Sequence, residues 1–329
     1  MNTKTYCHIP TPPITSQDPR LITTQTFQDL YTWSIGPRSA DFWADCLSSS
    51  PLIYSGAYTH VVDPSVRMDA TPNWFQGLRI NYAENMLFTT TPSTPSTRST
   101  LHKEDSKVAI TEVREGCSFI RNVTWGELRA RVALFSSAMR AHGVRKGDRV
   151  AVVASNSVDT LCVFLGVTAL GGLFSSSSTD MGTSGVLARL TQVKPRLVFM
   201  DDGALYNGKV VDLRPKMKEI VEGMERIGEF EAIVSVPRWE EAQSLSRLKR
   251  CVGLEEFLKQ GDEKDLRFER VEFNDPFLIV YSSGVSFPSN HGSRVMELTH
   301  ISKDDRPAEM HRAWYRQCDT LSLQGVTIT

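Results

Sequence analysis

Ser282-Ser283-Gly284 follows an almost wholly apolar run, Phe277 to Tyr281, which opens after Asp275-Pro276. The run reads as a buried strand, and the residues after it as a small loop at its carboxyl end. Two hydroxyls and a glycine let backbone N–H groups approach phosphate oxygens without a side chain in the way. Ser282, Ser283 and Gly284 are therefore the candidate phosphate contacts. A loop of this kind ordinarily runs on through Thr and Gly to a lysine, whereas here Val285-Ser286-Phe287-Pro288-Ser289-Asn290 follows. The two halves of the stretch must be read separately.

Other candidates are weaker. Ser175 to Ser178, followed by Thr179-Asp180, could contact phosphate, but a serine-rich turn before a helix reads first as a run of caps. Asp201-Asp202 could hold a metal, although two adjacent acids after a strand read more simply as a solvated turn. Lys209, beside Asn207-Gly208, reads first as a surface lysine. His291, His300, His311 and Cys318 have gaps that match no zinc pattern and are read as incidental, so no metal ligand is assigned. Ser283-Gly284 after a strand does not make a serine hydrolase, because G-x-S-x-G is absent and no His/Asp pair is placed by sequence.

The elements that must position these residues alternate. Val108-Ala109-Ile110 opens with a short strand. Thr124 caps a helix with Glu127 in its first turn and Leu128, Val132, Phe135 and Met139 on one stripe, and Gly143 ends it. Arg149 to Ala154 follows as a strand, then a helix capped by Ser155-Asn156-Ser157, apolar on most sides to Leu170 and stopped by Gly171-Gly172. Helix Ser184–Val193, strand Leu197–Met200, helix Arg214–Met224, strand Ala232–Val236, short helix Leu254–Lys259 and strand Phe277–Tyr281 complete the series. Strands alternating with helices imply an α/β fold, a parallel sheet with helices on both faces. Ligands of such sheets gather at the carboxyl ends of the strands.

Before this region, residues 1–40 read as an extended N-terminal arm, and 41–88 as an aromatic cap carrying Phe42, Trp43, Tyr54, Tyr58, Trp74 and Phe75. Its rings read first as packing on a neighbouring domain and second as ligand stacking. Residues 89–107, TTTPSTPSTRSTLHKEDSK, read as a Ser/Thr/Pro linker. Residues 108–284 form the α/β region, and 285–329 a polar tail without a strong period, expected to be poorly ordered.

A chain of 329 residues, 40% of them hydrophobic, can bury a sizeable core. Its net charge of -1 gives no electrostatic case for nucleic acid or an anionic membrane surface. The longest nearly uncharged apolar stretch, Leu161 to Phe174, is too short to span a bilayer, and the N-terminus lacks a signal-peptide core. The 6 cysteines form no CxxC pair, so reduced thiols in a cytoplasmic protein are expected.

The stretch from about Asp41 to Gly284 resembles the N-terminal part of the acetoacetyl-CoA synthetases, a family of the adenylate-forming acyl-CoA synthetase superfamily. Four segments carry the resemblance: WFQGLRINYAENML; VTWGELRARVALFSSAMRAHGVRKGDRVAVVASN; GGLFSSSSTDMGTSGVLARLTQVKPRLVFMDD with YNGK after it; and DPFLIVYSSG. It implies a partial AMP-binding α/β domain and ATP-dependent activation of acetoacetate or a similar short acid, through an acyl-adenylate, to its CoA thioester. It implies ATP, Mg²⁺ and CoA as cofactors, with Tyr281, Ser282, Ser283 and Gly284 opening the phosphate loop and Lys209 near the CoA phosphate. The family's loop goes on as Thr-Thr-Gly-x-Pro-Lys; here Phe287 stands at its second glycine and Asn290 at its lysine, so no catalytic residue is assigned. The family's hinge and C-terminal catalytic domain find no match in residues 285–329. The chain is thus expected to be a form truncated at the loop, inactive alone, or a non-catalytic remnant that associates with a full-length relative. Val285-Ser286 can be written GTG AGT, a common intron start, which makes 285–329 readable as a retained-intron or frame-shifted segment.

Overall fold

A computed structural model describes residues 26–63, 65–67, 70, 72–91, 93–114, 117, 119–206, 208–239, 243–246, 248–281 and 326–328. It divides into two compact units, residues 1–50 and 51–329.

The first unit holds α1 (Phe27–Ile35) and α2 (Ser39–Ser49) where an extended arm was expected up to about residue 40. The reason is local: Thr26 and Asp29 form a reciprocal capping box that satisfies the first N–H groups of α1. Trp33 meets Phe42 edge-on at 5.1 Å, and Trp43 donates its indole N–H to the Ser34 carbonyl at 3.3 Å. Residues 1–25 lie outside the described residues.

The second unit begins with β1 (Tyr54–Ser55), β2 (Arg79–Ile80) and α3 (Tyr82–Leu87). β3 (Val108–Val113) and β4 (Ile120–Thr124) form an antiparallel pair leading into α4 (Trp125–Ala141). Then come β5 (Arg149–Val153), α5 (Val158–Ala169), β6 (Leu173–Ser177), α6 (Thr183–Val193) and β7 (Leu197–Asp201). A hairpin, β8 (Gly203–Tyr206) and β9 (Lys209–Asp212), precedes α7 (Arg214–Met224), β10 (Ala232–Val236), β11 (Cys251–Gly253) and α8 (Leu254–Leu258). β12 (Val271–Glu272), β13 (Leu278–Ile279) and β14 (Val326–Ile328) follow. β14 pairs antiparallel with β3, and β12 with β2.

The central sheet has 6 strands in the order β11-β10-β7-β5-β6-β13, every neighbouring pair parallel. Side chains alternate across it, as the period of two requires. Val150, Val152, Leu197, Phe199, Val234 and Val236 face one core with residues of α4, α5 and α8. Ala151, Val153, Val198, Met200 and Ile233 face a second core with α6 and α7. The expected α/β architecture with helices on both faces is thus present.

The stripe Leu128, Val132, Phe135 and Met139 of α4 is buried as its spacing foretold. It packs closely on α5, where a Cβ at Gly166 would lie 2.6 Å from Met139 Cε and 3.3 Å from Ser136 N. Thr124 and Glu127 form the capping box of α4, and Gly143 turns the chain at φ 83°.

The segment 81–88 is bound into the second unit. Buried Asn81 caps α3 and donates its side-chain N–H groups to the carbonyls of Thr168 at 2.8 Å, Ala169 at 3.2 Å and Glu269 at 2.7 Å. Glu84, with 0% exposure, accepts from Arg98 Nε at 2.6 Å and from Arg270 Nε and Nη2 at 2.8 and 2.9 Å. A side chain of the expected linker is tied to this region: Lys103 Nζ donates to the carbonyls of Asn85, Met86 and Phe88. No helix among the described residues is long and apolar enough to cross a membrane.

Candidate functional site

Among the described residues, the carboxyl edge of the sheet collects the sequence-derived candidates. β13 is shorter than the expected Phe277–Tyr281 strand and sits at the sheet's margin, so the run is half-buried, with Val280 40% exposed. Its one neighbour is β6, with Leu278 opposite Phe174 and Ile279 opposite Ser175. Phe277 anchors the strand's start: its carbonyl accepts from Phe174 N at 3.0 Å, and its ring stacks on Tyr82 at 4.7 Å.

Tyr281 leaves this strand and is held against α6. Its hydroxyl donates to Gln192 Oε1 at 3.1 Å and lies 3.4 Å from the Arg189 carbonyl. The Arg189 guanidinium carbon sits 4.5 Å from the centre of the Tyr281 ring, a cation–π contact. Arg189 Nη1 then donates to Ser177 Oγ at 3.3 Å. Ser177, Arg189 and Tyr281 thus meet where β6 and β13 end. Arg189 escaped the sequence reading because nothing in a helical arginine announces a partner 92 residues away.

Ser282, Ser283 and Gly284 lie outside the described residues, as do His291, His300, His311 and Cys318.

The serine run is not a string of helix caps. Ser175, Ser176 and Ser177 belong to β6 itself, paired with β5, and Ser175 is buried. The helix that follows is capped by Gly182, without a side-chain bond. The loop after Ser178 is instead tied down by Lys216, whose Nζ donates to the carbonyls of Thr179 and Met181, each at 2.8 Å. Burial of that ammonium lowers its pKa.

Asp201 and Asp202 are not a solvated turn. They are 2% and 1% exposed, and both act as acceptors for loop ends. Asp201 Oδ2 takes the Ser155 N–H at 2.8 Å and its hydroxyl at 2.5 Å. Burial pushes the Asp201 carboxyl up to about 6, against the pull of these Ser155 bonds. Asp202 takes the N–H groups of Arg238 at 2.8 Å and Gln243 at 3.1 Å. Backbone donors at the ends of β5 and β10 need acceptors once buried, and these two carboxylates supply them. Among the described residues there is no group of three or more His, Cys, Asp or Glu side chains that could hold a metal.

Lys209 opens β9, is exposed, and stands opposite Tyr206 across the hairpin. Because that hairpin leaves the carboxyl end of β7, Lys209 belongs to the same end of the parallel sheet as Tyr281. The arrangement as a whole offers hydroxyls, one stacked guanidinium and a lysine at the strand ends where ligands of such sheets bind.

Comparisons with known proteins show the family. Residues 98–285, more than half of the chain, match the family described as AMP-binding enzyme. The chain is 38% identical to an acetoacetyl-CoA synthetase of Macaca fascicularis over 265 residues, which cover 80% of this chain and 37% of that protein. It is 34% identical to the malonamoyl-CoA synthetase vrtB of Penicillium aethiopicum over 269 residues, 80% of this chain and 36% of that one. Among solved structures, an acetoacetyl-CoA synthetase from Streptomyces lividans superposes with a TM-score of 0.66 at 27% identity, covering 78% of this chain and 36% of that chain. The chain therefore spans a little over a third of the length of the relatives it matches. It belongs to the AMP-binding enzyme family, as a protein similar to the acetoacetyl-CoA synthetases.

Proposed function

We propose that the chain carries the nucleotide-facing part of an ATP-dependent acid–CoA ligase of the acetoacetate-activating kind, and that these 329 residues do not complete the adenylation step by themselves. The observation that carries the reading is the position of Tyr281, which brings the start of the YSSG segment to the carboxyl end of β13, beside Ser177 and Arg189. Ser282, Ser283 and Gly284 then supply hydroxyls and backbone N–H groups for the phosphates, and Lys209 serves the CoA phosphate.

In the reaction so assigned, the acid's carboxylate oxygen bonds the α-phosphorus of ATP and pyrophosphate leaves. The CoA thiolate next bonds the acyl carbon and AMP leaves. Two anions must meet in the first step, so positive charge has to neutralise the polyphosphate. Mg²⁺ would enter with ATP; Asp201 accepts from the Ser155 N–H and hydroxyl, and Asp202 from the N–H groups of Arg238 and Gln243. Phe287 and Asn290 deprive the loop of the glycine and lysine that this charge handling uses. The family match ends at residue 285, and of the residues beyond it Val326–Ile328 pair with β3. Free thiols at Cys46, Cys117, Cys162 and Cys251 support a cytoplasmic location.

The substitutions at Phe287 and Asn290 also favour a second reading, in which the chain is a non-catalytic partner of a full-length relative. ATP–pyrophosphate exchange with acetoacetate, measured on the chain alone and mixed with a full-length acetoacetyl-CoA synthetase, separates the two. No exchange is expected from the chain alone, and robust exchange there overturns the claim that it cannot adenylate. A change in the relative's rate or thermal midpoint on mixing supports the partner reading, and unaltered behaviour removes it.

A further inference from the structure

We infer that Arg189, with the Ser177 hydroxyl, is the anion contact that takes the polyphosphate of a nucleotide at this edge, in place of the lysine missing at Asn290. The inference rests on the nucleotide reading above and assigns its charge to a residue.

Among the described residues, many arginines of the second unit have carboxylates. Arg98 and Arg270 share Glu84, Arg131 holds Asp159, and Arg196 lies between Asp148 and Glu231. Arg189 is one of several without a carboxylate: among the described residues its guanidinium makes one hydrogen bond, to a neutral hydroxyl at 3.3 Å, and no ion pair. A half-buried guanidinium without a carboxylate beside it keeps donors for an external anion. The Tyr281 ring, 4.5 Å from Cζ, fixes the plane of the guanidinium without consuming its N–H donors. What is left is a planar fork of donors, the geometry that matches phosphate oxygens in pairs.

The competing cation nearby is already engaged. Lys216 Nζ donates to the carbonyls of Thr179 and Met181 and is held away from a ligand. The Tyr281 hydroxyl, bound to Gln192 on the same helix, ties α6 to the strand end from which the phosphate loop departs. Arg189 would therefore bind phosphate and at the same time register α6 against β13.

The test is calorimetric titration of ATP and of inorganic pyrophosphate into the whole 329-residue chain and its Arg189→Met variant, at two salt concentrations. Arg189→Met should weaken both ligands by about tenfold and flatten the salt dependence, since one charged contact to phosphate is lost. Equal affinity and equal salt slope in the variant overturn the inference and leave the nucleotide reading standing. Failure of the wild-type chain to bind either ligand overturns both. Should Arg189→Met melt below the assay temperature, Arg189→Lys carries the test, because it keeps the charge and loses the fork. A loss of about threefold or more supports a paired contact, and unchanged affinity contradicts it.

Discussion

Two polar clusters of the second unit, equally rich in arginine, do opposite work. Around Glu84 every charged oxygen is engaged: Arg98 and Arg270 donate to it, and Asn81 beside it reaches three carbonyls. Around Tyr281, Arg189 has, among the described residues, one hydrogen bond to Ser177 and its contact with the Tyr281 ring. The difference is one of completeness. A buried polar network that is fully paired holds chain segments together, here residues 81–85 and 269–270, but has nothing left for a ligand. A half-exposed cluster with spare donors contributes little to folding and is free to bind.

The largest test of that contrast is Glu84→Ala, which leaves two arginines around an empty centre. It should cost about 3–5 kcal/mol in urea unfolding, the range for breaking a buried ion pair by removing one partner. A loss below about 1 kcal/mol would show the arginines relaxing into water and the cluster not acting as a tether. Asn81→Ala should follow at about 2–3 kcal/mol, since it removes the cap of α3 and orphans buried carbonyls. Urea midpoints read it, and a neutral result would deny the tether a second time.

Asp201 tests the carboxyl end in the opposite direction. Its pKa is raised from 3.8 to about 6, so in that window the folded chain holds a proton that the unfolded chain has released. Stability from this group therefore falls as pH rises through the window, and the cost is constant above it. Asp201→Asn keeps an acceptor for Ser155 and removes the charge. It should stabilise the protein by roughly 1–3 kcal/mol above the window and by little below it. A difference between the two proteins that does not change with pH would contradict the buried charge. Smallest of all, Arg189→Met should change the unfolding free energy by under about 1 kcal/mol while weakening the anion. A loss as large as that of Glu84→Ala would put Arg189 among the tethers.

Legibility from sequence followed the reach of each interaction. The α4 stripe and the Thr124–Glu127 capping box were readable because their partners lie within four residues. β5, β7 and β10 were readable because both faces are covered and nearly every side chain is apolar. Ser175 to Ser177 misled: small hydroxyl residues favour turns, but β5 and β13 on either side supply a ladder that overrides the preference. β4 was missed because Ile120, Arg121 and Asn122 are exposed and the strand has only one buried position, Val123. Asp201 and Asp202 looked solvated because the donors they satisfy, at Ser155, Arg238 and Gln243, lie 36 to 46 residues away. In the candidate site the same rule holds. Tyr281 stands in a contiguous motif and could be named, whereas Arg189 joins it only through the pairing of β6 with β13.

Hydrogen–deuterium exchange of the purified chain with and without ATP tests the central claim most directly, because it reports where the ligand acts rather than whether turnover occurs. The account expects ATP to slow exchange in peptides covering 173–193 and 277–281, with the peptides of 81–88 and 265–272 unchanged. Protection centred on the Glu84 cluster, or none at the ends of β6 and β13, would contradict it.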